Sequence, residues 1–153
     1  LLKRGMIVDE LELSTATPEE ISSKLTGNDY IYITGGNTFF LLQELRRTGA
    51  DHLITAQIAA GKPYIGESAG SMILARDIDY VTAMDDLAAA PELTSLNALG
   101  VVDFYPLPHH TNFPFKKVVE KIIGNYAEKI PLHPISNAQA IQVDCDQVVV
   151  IDK

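Results

Sequence analysis

Ser68 lies in the pentapeptide Gly66-Glu67-Ser68-Ala69-Gly70, a G-x-S-x-G pattern. It stands between a short apolar run, Pro63-Tyr64-Ile65, and a small-residue stretch that reads as a helix start. A sharp strand-to-helix turn holds a serine in a strained conformation with its oxygen exposed, and flanking glycines remove Cβ atoms that would clash there. N–H groups at the new helix start can then stabilise an oxyanion. These features mark Ser68 as a candidate nucleophile.

A serine nucleophile needs a base, and the chain has four histidines: His52, His109, His110 and His133. His52 falls in the first turn of a predicted helix, where a surface role is expected, and His133 sits between Leu132 and Pro134 with no evident partner. His109 and His110 follow a predicted strand, at the sheet edge where open α/β folds bind ligands. The spacing does not separate these two. A carboxylate to orient the imidazole is expected in the loop between serine and histidine, at Asp85 or Asp86, giving the order Ser, Asp, His used by α/β-hydrolases.

Thr34-Gly35-Gly36-Asn37 is a second glycine turn from a strand into a helix, with backbone N–H groups that can approach an anion or carbonyl oxygen. It lacks the G-x-G-x-x-G and Walker patterns, so it does not point to nucleotide binding. Beside Ser68 it makes sense as half of an oxyanion hole. No residues have metal-site spacing, and neither a metal nor a cofactor is expected.

The elements that must position these groups alternate between strand-like and helix-like, the pattern of an α/β domain with a mainly parallel sheet. Strands are expected at Met6 to Leu13, Tyr30 to Ile33, Pro63 to Gly66 and Val101 to Leu107. Helices are expected from Thr17-Pro18-Glu19-Glu20, over Thr38 to Thr48 behind an Asn37 cap, over Asp51 to Ala60 behind a capping Asp51, over Ala69 to Ala75, and over Phe115 to Ile130. Asp77 to Asn97 reads as an extended, functional loop. Ala138 to Val143 and Val148 to Ile151 read as a closing hairpin.

Composition narrows the function classes. With 153 residues, 46% hydrophobic and 21% charged, the chain suits one soluble globular domain. A net charge of −8 without a basic cluster disfavours nucleic-acid binding. No apolar run nears the roughly 20 residues that span a bilayer, so no membrane partner is expected. The single cysteine, Cys145, fits a cytoplasmic location.

Ile33-Thr34-Gly35-Gly36-Asn37-Thr38-Phe39, the Gly66 to Gly70 elbow and Pro108-His109-His110-Thr111-Asn112 together resemble the aspartyl dipeptidase (dipeptidase E) family of serine peptidases, over the stretch from about Asp29 to His110. The family is related to cyanophycinase. The resemblance implies an α/β fold: a mainly parallel sheet sandwiched by helices, class I glutamine-amidotransferase-like with flavodoxin-like topology, here with the C-terminal β-hairpin. It also implies metal-free hydrolysis of dipeptides that begin with aspartate. Carried over by motif, Ser68 falls on the nucleophile, His109 on the base, and Gly36 and Ala69 on the oxyanion-hole N–H groups. The acid falls on Asp86, with Asp85 as its alternative. Asn37, Glu67 and His110 are expected to line the substrate pocket.

The chain departs from the family at Glu67, where its best-known member has tryptophan. The first cations after His110 are Lys116 and Lys117, where the family reads the substrate aspartate with arginine. The resemblance further implies that residues 1–153, read as one domain, lack an N-terminal strand or strands. An unpaired sheet edge could then support a homodimer. Two other readings use the same residues differently: a cyanophycinase-like or other serine amidase or esterase, and a non-enzymatic ligand-binding protein on this scaffold.

Overall fold

The structure is a computed structural model and describes residues 2–152. After a 3₁₀ turn at Leu2–Arg4, the segment 6–13 runs in irregular conformation and not as the expected strand, with Ile7 almost fully exposed. Among the described residues, no strand pairs with it. Helix α1 (Pro18–Gly27) begins where the proline and acidic residues indicated, with Thr17 Oγ1 accepting from Glu20 N. Strand β1 (Ile31–Ile33) pairs in parallel with β2 (Tyr64–Gly66), in the register Ile31 to Tyr64 and Ile33 to Gly66.

Between them run α2 (Thr38–Thr48) and α3 (Ala50–Ala59). Asn37 caps α2 through its side chain, as expected. Asp51 instead lies inside the first turn of α3, and the N-cap position is taken by Gly49 in a left-handed conformation with no side-chain bond. One residue closes α2 and opens α3, leaving no room for an aspartate cap.

A short helix, α4 (Ala69–Met72), follows β2 at once. The segment 77–97 is held against the body: Ile78 N donates to Leu96 O, and Asp77 bridges Asn97. It contains 3₁₀ turns at Asp79–Ala83 and Leu87–Ala89. Strand β3 (Tyr105–Leu107) is shorter than its apolar sequence suggested, and it pairs in parallel with β4 (Leu132–Pro134), a strand that sequence reasoning missed. Between them lies α5 (Lys116–Tyr126). The expected hairpin is present as β5 (Gln139–Asp144) and β6 (Gln147–Asp152).

The chain is thus a mixed α/β fold with parallel strands, arranged as two parallel pairs plus a hairpin. Helix α4 lies between two apolar clusters. Met72 packs with Phe39, Leu42, Tyr80, Leu107 and Ile122, while its neighbour Ile73 packs with Ile21, Ile31, Leu45 and Ile54. Burying four or five such side chains on each side contributes roughly 1.5–3 kcal/mol apiece, so α4 cannot shift without loosening both clusters. Only one face of β1 and β2 is covered this way. On the other, Tyr32 and Ile65 stand 38% and 39% exposed along a cleft that runs to Gly35 and Gly36.

The approach of α4 to the sheet tolerates no side chain at two positions. A Cβ on Gly66 would lie 2.5 Å from Gly70 O, and one on Gly70 would collide with the Ile33 carbonyl, 2.9 Å from its carbon. We expect Gly70→Ala to destabilise the protein by about 1–3 kcal/mol in chemical denaturation. Gly124→Ala, on the exposed side of α5 with nothing within 4 Å of the new methyl group, should instead stabilise it by about 0.4–1 kcal/mol.

Candidate active site

The turn from β2 into α4 places Ser68 at φ 52° and ψ −115°, a conformation that L-residues avoid. Three interactions hold it there: Glu67 N donates to Ile33 O at 2.9 Å, Gly70 N donates to Glu67 O at 3.0 Å, and the Tyr64 hydroxyl donates to Gly70 O at 2.5 Å. Burial raises the Tyr64 phenol above its ordinary range, so it stays a donor. Gly35 stands against the serine, so close that a Cβ there would lie 3.2 Å from Ser68 Cβ. Gly36 follows with a positive φ of 139°.

The register of β3 and β4, Leu107 beside Pro134, sends the loops after both strands out at one edge. Pro108 and His109 leave from one strand, and Ile135 to Ala138 from the other. His110 N donates to Ile135 O and Ile135 N to Leu107 O, which ties the loops together. His109, at φ 67°, directs Nε2 to Ser68 Oγ at 2.9 Å. Its ring stacks on Phe115 at 4.6 Å between centroids. Of the two histidines that the sequence left level, the geometry brings His109 to the serine.

The third position departs from expectation. His109 Nδ1 meets Asn137 Oδ1 at 2.8 Å. An amide oxygen only accepts, so Nδ1 carries the proton and Nε2 is left to accept from the serine hydroxyl. Asn137 is itself placed by Asn112, whose Oδ1 accepts from Asn137 N at 2.8 Å.

Asp85 and Asp86 serve elsewhere. Asp85 Oδ2 accepts from Thr38 N at 2.8 Å and from Thr38 Oγ1 at 2.5 Å, and Asp86 Oδ1 accepts from Ala88 N at 2.9 Å. Chain order suggested an acid between serine and histidine. The parallel pairing of β3 with β4 instead delivers a residue from after the histidine. The signal available in sequence was the Ser136-Asn137 turn following a short apolar run, which went unread because Leu132 to Pro134 was not recognised as a strand.

Two expected pocket residues are also committed. Asn37 Oδ1 accepts from Phe40 N at 2.9 Å and its Nδ2 donates to Asp86 O at 2.8 Å, so this side chain caps a helix and fastens a loop. His110 Nε2 lies 3.3 Å from Glu120 Oε1 on α5. Glu67 stays exposed, and its carboxylate accepts from the Tyr32 hydroxyl. His133 stacks on Phe104 at 4.4 Å, a packing role, and His52 is exposed as expected. Among the described residues there is no cluster of three or more His, Cys, Asp or Glu side chains that could hold a metal, and no helix is long and apolar enough to cross a membrane.

This arrangement can deprotonate a serine hydroxyl beside a glycine turn, and it makes a prediction about Asn137. Asn137→Ala should slow labelling of Ser68 by a fluorophosphonate by about 10²-fold or more, the usual scale of a lost base. Asn137→Asp, which keeps an acceptor at Nδ1, should stay within about tenfold of the native rate. Asp86→Ala should label at the native rate. An Asn137→Ala variant as reactive as the native protein would remove Asn137 from the constellation.

The model of the family described as Peptidase family S51 matches residues 1–151. An uncharacterized peptidase of Pasteurella multocida is 55% identical over 149 residues, 97% of this chain and 72% of its own length. A similarly described peptidase of Listeria innocua is 52% identical, over 97% of this chain and 71% of its own length. A protein of Shewanella amazonensis named Peptidase E is 42% identical over 85 residues, 56% of this chain and 34% of its own length. A crystal structure from Listeria monocytogenes EGD-e that carries the Peptidase E name superposes with a TM-score of 0.95 at 49% identity, covering 99% of this chain and 73% of that one. With a family model matched along nearly its whole length and relatives more than half identical to it, this chain belongs to peptidase family S51.

Proposed function

We propose that the chain is the nucleophile-bearing part of a serine-type dipeptidase that cleaves short peptides from their N-terminal end. The observation that carries this reading is the 2.9 Å contact between Ser68 Oγ and His109 Nε2, made by a serine on a strained elbow. Ser68 Oγ attacks the scissile carbonyl carbon while His109 Nε2 takes its proton. The tetrahedral oxyanion is held by the N–H groups of Gly36 and Ala69. Collapse breaks the C–N bond, and His109 returns the proton to the leaving amine. Water, deprotonated by the same nitrogen, then attacks the acyl-Ser68 ester and releases the acid. Asn137 keeps the imidazole in the tautomer that this cycle needs.

A cytoplasmic setting suits the lone, exposed Cys145. Peptides beginning with aspartate are the first substrates to test, given the resemblance of the Gly35-Gly36, Ser68 and His109 motifs to aspartyl dipeptidases.

The test is hydrolysis of Asp-X, Glu-X, β-Asp-X and neutral X-X dipeptides by the protein and by Ser68→Ala. We expect cleavage that falls by more than about 10³-fold in the variant, with an unchanged melting temperature. Equal activity in the two proteins would overturn a serine mechanism.

A further inference from the structure

Glu67 is the one carboxylate immediately beside the proposed nucleophile, and the mechanism above does not use it. In the parallel register of β1 and β2, Tyr32 pairs with Ile65, and both lie on the uncovered face of the sheet. Side chains alternate along a strand, so Glu67, two residues after Ile65, emerges on that same face. There its Oε2 accepts a hydrogen bond from the Tyr32 hydroxyl. The bond raises the Tyr32 phenol above its ordinary range and keeps it a donor. Its backbone is fixed as well, with Glu67 N bonded to Ile33 O and Glu67 O to Gly70 N. Among the described residues, no lysine, arginine or histidine pairs with Glu67. The site therefore offers a fixed anion, held by one neutral donor, with its second oxygen available for a cation.

We propose that Glu67, braced by Tyr32, is a specificity-determining residue that binds the free α-ammonium group of the peptide whose carbonyl Ser68 attacks. This rests on the serine-peptidase reading. In an acyl substrate the α-nitrogen is two bonds from the attacked carbon, and the face of Tyr32 and Ile65 on which Glu67 emerges runs to Gly35, where a Cβ would lie 3.2 Å from Ser68 Cβ, so the carboxylate borders the approach to the nucleophile. A charge-assisted hydrogen bond to an ammonium is among the stronger single contacts a site can make. The substrate class inferred is thus peptides with an unblocked N-terminus, whose amine Glu67 reads.

The test compares three p-nitroanilides: alanyl, with a free amine; propionyl, with the amine deleted; and Nα-acetyl-lysyl, with only a side-chain cation. Each is assayed with the native protein, Glu67→Gln and Tyr32→Phe, alongside the rate of fluorophosphonate labelling of Ser68. We expect the native protein to favour the alanyl substrate. Glu67→Gln should lower its kcat/KM by about 10- to 100-fold, the range of a charge-assisted hydrogen bond, and leave the propionyl rate and the labelling rate unchanged. Tyr32→Phe should show the same pattern to a smaller degree.

A fall on the acetyl-lysyl substrate alone would show that Glu67 reads a side chain, and would overturn the proposal. Equal losses on all three substrates together with slower labelling would make Glu67 a support of the elbow only, which also overturns it. Absence of any Ser68-dependent hydrolysis or labelling would instead overturn the serine-peptidase reading, and this inference with it.

Discussion

The contact between the Gly70 backbone and the Ile33 carbonyl region sets the geometry of everything around it. A helix separated from the preceding strand by only Glu67 and Ser68 has no loop in which to absorb error. Its first turn must therefore be pressed directly onto the neighbouring strand. Gly66 and Gly70 permit that approach, the Tyr64 hydroxyl fastens it, and the two clusters meeting at Met72 and Ile73 hold it from both sides. The strained φ of Ser68 is a consequence: the chain adopts it because the surrounding packing over-determines the turn.

The partner of the serine depends on a second, independent constraint. His109 and Asn137 come from loops that leave adjacent parallel strands, and the backbone bonds between His110, Ile135 and Leu107 set the separation of those loops. Asn112 then links one loop to the other through the Asn137 amide. A neutral amide in the third position fixes the imidazole tautomer and adds no formal charge to stabilise the imidazolium. In such a site, orientation supplies the greater part of what the third residue contributes. Of the aspartates that chain order favoured, Asp85 binds Thr38 and clamps the 77–97 segment to the start of α2, while Asp86 caps the turn at Leu87–Ala89 through Ala88 N. Asn37 joins that clamp, so the glycine turn beside Ser68 is held in place from the loop side.

Parallel sheets are normally covered on both faces. Here the two apolar clusters cover one face of β1 and β2; on the other, Tyr32 and Ile65 line a cleft and the Tyr32 hydroxyl bonds the Glu67 carboxylate. This face, which runs to Gly35 beside Ser68, is thus aromatic, apolar and negatively charged, and the Glu67 carboxylate on it is braced by a phenol. That combination suits a small ligand with a cationic end better than it suits an anion.

The local elements were readable from sequence because their signals are local. Thr17 and Asn37 mark helix starts through bonds that span three residues, and Pro18 does so through its fixed φ. Gly66 and Gly70 mark an elbow because no other residue fits there, and the repeated β-branched residues of the last segment mark a hairpin. Ser68 and the Gly35-Gly36 turn were identified on the same grounds, as were the mixed α/β class and the family resemblance.

What the sequence could not decide were questions of partnership across the chain. Met6 to Leu13 has the composition of a strand, but pairing is a matter of tertiary structure, and no strand among the described residues lies beside it. Leu132 to Pro134, barely a strand by composition, became one because β3 lay alongside. That pairing alone separated His109 from His110, and it chose Asn137 over Asp85 and Asp86. A histidine's orienting partner is set by which loop ends meet at a sheet edge, and strand register, not chain order, determines that meeting.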